Sequence, residues 1–136
     1  MSTFFNDMQA ALDTKLAASV SDPVAYPNIP YEPVTGTVYI KPTFIPTETS
    51  QASLGATGLD ETNGIYQIEV VVPRGSGRPQ AVDSIADAFK RGTVLTYNDV
   101  KLRIRSVSIG LAIATDTAWY SVPVSVNFQL FTEART

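Results

Sequence analysis

The 136-residue sequence predicts an α+β fold, a mainly antiparallel sheet with two helices packed on it. Three observations carry that prediction. An apolar stripe of helical period fills the first twenty residues, a strand runs through a glycine-rich turn into a second helix, and the last third alternates apolar and polar residues. The length suits one domain, residues 1–136, with a single core.

Residues 1–20 form the first helix: Phe5, Met8, Leu12, Leu16 and Val20 recur at helical spacing, Phe4 and Ala11 widen the stripe, and Ser2 or Thr3 can cap it. Residues 21–35 carry Pro23, Pro27, Pro30 and Pro33, which removes amide donors and excludes a helix. Interleaved Val24, Tyr26, Ile29 and Tyr31 predict an extended strap, either a surface connection or an arm packed on a neighbour.

Gly36 to Pro46 alternates Val38, Ile40 and Phe44 against Thr37, Tyr39, Lys41 and Thr43, a half-buried strand whose Pro42 favours an edge or a bulge. Residues 47–63 hold little apolar content beyond Leu54 and Leu59 and predict a long polar loop. Gly64 to Pro73 is a second strand with Tyr66, Ile68, Val70 and Val72 on one face. Arg74 to Arg78 makes a flexible turn, and Pro79 suits the first position of a helix that buries Val82, Ile85, Ala86 and Phe89. Lys90 and Arg91 complement that helix's dipole, and Gly92 supplies a left-handed cap.

Three antiparallel strands complete the expected order. They are Thr93 to Tyr97, Val100 to Ile109, and Trp119 to Phe131 after a turn around Ala114–Thr117. In the second of these Lys101, Arg103 and Arg105 alternate against Leu102 and Ile104. In the third, Tyr120, Val122, Val124, Val126, Phe128 and Leu130 share a face, and Pro123 suggests that part of the strand is an edge or a bulge.

There is no cysteine and no histidine, which excludes disulfides, thiol nucleophiles, thiolate or imidazole zinc sites and a Ser-His-Asp triad. The N-terminus lacks signal-peptide features and no apolar run is long enough for a bilayer, so a soluble protein is expected. The net charge of −3 argues against general nucleic-acid binding. Charge is lopsided: residues through Pro73 carry −6 and the remainder +3. That suits copies that meet acidic side to basic side, or pairing within one domain.

Few motifs suggest chemistry. Val72 to Arg78 places a glycine-rich turn before a helix, but a dinucleotide fingerprint would need glycine at Gln80, and no Gly-Lys-Ser/Thr is present. Asp83 and Asp87 share a helix face and Asp60 adjoins Glu61, yet neither pair has a third ligand or a base. The stripe Lys101, Arg103, Arg105 is either a solvated strand face or an electrostatic contact with an acidic neighbour or passing DNA. Tyr31, Tyr39, Trp119 and Phe131 are candidate interface anchors.

Several segments together resemble one family: the strap Tyr26 to Tyr31, Ser53 to Gly55, Gly64 to Pro73 running into Gly75 and Gly77, the helix end Ala88-Phe89, and Trp119 to Val124. They resemble the tail terminators of long-tailed bacteriophages, over nearly the whole chain. The resemblance implies a tail-terminator-like fold and a hexameric ring on the last ring of the tail tube. That ring would stop tube polymerisation, meet a head-completion or stopper protein, and let DNA pass through its lumen. It implies a virion protein at the head-proximal end of the tail, assembled in the host cytoplasm, with no enzyme activity, cofactor, metal or membrane. The residues expected at a subunit interface or lumen are Lys101, Arg103, Arg105, Arg74, Arg78, Leu54, Leu59 and Tyr31. A head–tail stopper or connector, or a small binding module presenting residues 47–63, are the alternatives.

Overall fold

The computed structural model describes residues 4–26, 29–32, 36–51, 59–74, 80–97, 100–110, 113–114 and 119–133. They form α1 (Phe4–Ser19), β1 (Tyr39–Gln51), β2 (Leu59–Pro73), α2 (Gln80–Ala88), β3 (Val94–Tyr97), β4 (Val100–Ile109), β5 (Ile113–Ala114) and β6 (Trp119–Glu133). All the strand pairings are antiparallel, in the order β1-β2-β6-β4-β3, with the short β5 added on β6. The fold is α+β, as the sequence predicts.

Alternation along β2 and β6 buries Tyr66, Ile68, Val70 and Val72 against Val122, Val124, Val126 and Phe128 on one face. The helices cover that face. α1 lies against β3, β4 and α2, and α2 against β4 and β6. α1 contributes Met8, Leu12 and Leu16 to the core, and α2 contributes Ala81, Val82 and Ile85, followed by Phe89. Gly92 then takes φ +90°, the left-handed conformation that the sequence assigns to it.

The strap begins by adding a single bridge to the outer side of β1. Val24 bridges Ile40 in parallel; the Ala25 amide donates to the Ile40 carbonyl at 2.7 Å, and the Ile40 amide to the Pro23 carbonyl at 2.9 Å. Ile40 therefore points its backbone groups away from β2. By the two-residue period, so do Pro42 and Pro46. Their missing donors face the outer edge and cost no bond to β2.

Four expectations need correction. Residues 47–63 are not one long loop: β1 continues to Gln51 and β2 starts at Leu59, leaving only 52–58 outside the described residues. The arm is polar because backbone pairing holds it; β2 is flanked by β1 (Gln51↔Asp60) and β6 (Asp60↔Thr132), so no apolar stripe is needed to announce it. Four strands follow α2 rather than three, because β5 pairs Ile113 with Ser121 inside the expected connection.

Pro123 does not mark an edge, since β6 lies between β2 and β4. Its carbonyl accepts from the Gly110 amide at 2.8 Å, so its nitrogen also faces that side, between the end of β4 and the start of β5. No ladder bond is lost there. Finally, β4 does not alternate throughout. A register shift between Ile104 and Ser106 makes Arg105 an extra residue, which returns Val107 to the core side opposite Val126.

Candidate functional site

The sheet face away from the helices carries three of the candidate residues. Lys101, Arg103 and Arg105 are all exposed on β4. The cross-strand neighbours of Lys101 and Arg103 are neutral: Thr96 for Lys101, Val94 and Gln129 for Arg103. Arg74 is exposed at the far end of β2, beyond the Pro73↔Trp119 pair, so the structure does not bring it to the β4 stripe. Arg78 and Leu54 lie outside the described residues, as does the side chain of Leu59, whose backbone opens β2.

Tyr31 belongs to an aromatic row near Arg74. Its ring lies 5.1 Å from that of Tyr39, which meets Trp119 edge-on at 5.6 Å. All three are half-buried, and the Tyr31 hydroxyl is buried without a hydrogen-bond partner among the described residues. Beside it the strap and β1 enclose an open groove of about 450 Å³ that includes Ile29, exposed to 61%. The side chain of Phe131 is outside the described residues.

A second open hollow, of about 490 Å³, lies where the sheet bends. Pro46, Gly64, Phe128 and Ile104 form one row across four strands, and a register shift follows both Pro46 and Ile104. The two extra residues, Thr47 and Arg105, line the hollow with Asn63, Ile65, Ser106 and Asn127. Thr47 donates to the Asn63 carbonyl at 3.0 Å, and Asn127 donates to the Ser106 hydroxyl at 2.8 Å. Such a surface can bind an anionic or polar group. It contains no nucleophile–base pair.

One polar contact on the helix side leaves no mark in the sequence pattern. Tyr66, buried on β2, donates its hydroxyl to the Asp13 carboxylate of α1 and packs against Phe89, ring to ring, at 6.0 Å. Burial pushes the Asp13 carboxyl above the usual carboxylate range, with the Tyr66 hydrogen bond opposing the shift. Burial also raises the Tyr66 and Tyr26 phenols, each reinforced by the Asp13 charge. Tyr66 thus stays a donor, and its hydrogen bond to Asp13 ties helix α1 to the sheet. A period-based reading places Asp13 on a polar helix face and cannot see its partner 53 residues away.

Asp83 and Asp87 are exposed on α2. Among the described residues no three carboxylates cluster as a metal site would require, and no helix is long and apolar enough to cross a membrane.

Two solved structures share the fold. A chain that carries no functional name superimposes with a TM-score of 0.73 at 22% identity, covering 99% of this chain and 98% of that one. A chain from the virion of a native gene transfer agent particle superimposes with a TM-score of 0.60 at 17% identity, covering 97% and 100%. No curated protein matches the sequence. A family model described as phage tail terminator protein matches residues 7–128. The chain therefore belongs to the phage tail terminator family and is a structural protein of the virion tail.

Proposed function

We propose that six copies of the chain close into a ring on the last ring of the tail tube, where they stop polymerisation and present a surface to the head-completion or stopper protein. The family match over residues 7–128 is the observation that carries this reading. A ring closes when one heterologous contact repeats with a rotation that returns to its start. One face of the ring imitates the next tube ring and the other does not, so growth halts. DNA passes through the lumen, the ring sits at the head-proximal end of the tail, and assembly takes place in the host cytoplasm.

The role is non-enzymatic and needs no cofactor. In support, the family is structural, and the polar groups described on the outer face are suited to contact rather than to proton transfer. The binding-module alternative relied on a long loop over 47–63, much of which is strand.

Light scattering over a wide concentration range tests the ring. Six copies of 14.7 kDa give about 88 kDa. A chain that stays monomeric, and that does not limit tube length when added to polymerising tube protein, would overturn the reading.

A further inference from the structure

The outer strands of the sheet differ sharply in charge. From Gly36 to Pro73, the segment that builds β1 and β2, Lys41 stands against Glu48, Asp60, Glu61 and Glu69, a net of −3. From Lys90 to Gly110, the segment that builds β3 and β4, Lys90, Arg91, Lys101, Arg103 and Arg105 stand against Asp99, a net of +4. These two pairs of strands are the opposite edges of the sheet, with β6 between them.

Register sharpens the contrast at one end. Asp60 and Glu61 pair with Thr132 and Phe131 of β6, and Arg103 pairs with Gln129 of the same strand. The acidic hairpin arm and the basic start of β4 therefore lie side by side at the same end. Two strand spacings separate them, about 10 Å, with β6 in between, so they are not cross-strand neighbours within one copy. Glu61 is occupied locally instead, accepting from the Asn63 side chain at 3.4 Å.

We infer that the acidic β1–β2 edge of one copy seats against the basic β3–β4 edge of the next, so that the negative charge of Glu48, Asp60 and Glu61 is matched by the positive charge of Lys101, Arg103 and Arg105. This rests on the ring reading and names the contact that would close it. The occupant of the basic edge is a second copy rather than a nucleic acid. The same chain supplies an acidic edge of nearly equal charge, and the chain as a whole is acidic. The two edges stand four strand spacings apart, about 19 Å, so each copy meets one neighbour at each edge. That contact is heterologous and propagates until it closes. Pro42 and Pro46 leave gaps in the outer backbone edge of β1, so charge pairing between side chains, rather than a continuous backbone ladder, carries the contact there.

Charge exchange tests it. One variant carries Glu48→Lys, Asp60→Lys and Glu61→Lys, a second carries Lys101→Glu, Arg103→Glu and Arg105→Glu, and a third carries all six. Assembly mass is read by light scattering at low and high salt. The wild type is expected near 88 kDa, six copies of 14.7 kDa, with assembly weakened by salt. Each three-residue variant is expected to fall to monomer while keeping its circular dichroism, and the six-residue variant to regain the wild-type mass. Rings that survive both partial reversals, or fail to return in the full exchange, overturn the edge contact while leaving the ring reading intact. A wild type that is monomeric, or that stops at a dimer of about 29 kDa, overturns the self-closing edge contact, and the ring reading falls with it if that protein also fails to limit the length of polymerising tubes.

Discussion

Phe44 and Phe128 stack across a strand that lies between theirs, with ring centroids 5.7 Å apart and planes within 11° of parallel. Gly64 makes this possible. It sits on the intervening β2, between Pro46 and Phe128, and a Cβ there would overlap the Phe128 ring and come within 2.9 Å of the Ile45 carbonyl. Gly64→Ala is expected to cost about 1–3 kcal/mol through overpacking, read by urea unfolding. Adding Phe128→Leu should recover part of the loss if the ring is the obstacle. A Gly64→Ala protein of wild-type stability would contradict the stacking geometry.

Tyr66→Phe removes the donor to Asp13 and leaves a half-buried carboxylate with one fewer partner. About 1–3 kcal/mol of destabilisation is expected at neutral pH, measured by the same unfolding curve. Asp13→Asn keeps an acceptor for the hydroxyl and should cost less.

The raised Asp13 carboxyl also sets a pH dependence. Its native pKa lies above the value of 3.8 it has unfolded, so the native state holds the proton more tightly. Its contribution to stability therefore falls as pH rises from 3.8 through the native value, then levels off. Asp13→Asn should remove that descending segment from a plot of unfolding free energy against pH. An unchanged profile would show that Asp13 does not cause it.

Gly92 has φ +90° and open space where a Cβ would stand. Gly92→Ala is therefore expected to cost roughly 1–2 kcal/mol from backbone conformation alone, with Gly92→Asn costing less. Thermal melts of the two variants separate this from a packing effect, which would penalise the larger side chain more.

Arg105 is the surplus residue of β4, so deleting it leaves Ile104 and Ser106 consecutive and still in phase with β6. The deletion should fold, with a modest loss of stability. Deleting Ser108 instead would turn Ile109 away from the side of its partner Val124 and should be far more damaging. Soluble yield and melting temperature compare the two directly.

The helices and the paired faces of β2 and β6 were legible because each buries one face, and burial imposes a period. The arm was not. Thr47 to Gln51 and Leu59 to Asn63 owe their strand conformation to partners on other strands, a non-local cause that a window of sequence does not contain. The bulge at Arg105 was hidden for a related reason. Lys101, Arg103 and Arg105 alternate without a flaw, and only the later demand that Val107 face Val126 exposes the extra residue. Among the candidate site residues, the β4 stripe was readable as one surface from its spacing. That Tyr31 and Arg74 lie at the other end of the sheet follows from strand order, which local patterns leave open.

The prolines of β1 carry a kinetic consequence as well as a geometric one. A sheet edge can nucleate growth on any passing strand, and a cell making virion parts is crowded with such strands. Along the outer edge of β1, Val24 already occupies Ile40, and positions 42 and 46 offer an incoming backbone nothing to accept from. A stray chain can find no uninterrupted run there on which to seed a fibre. A protein whose family is named for ending a polymer is thereby poorly suited, along this edge, to starting one of its own.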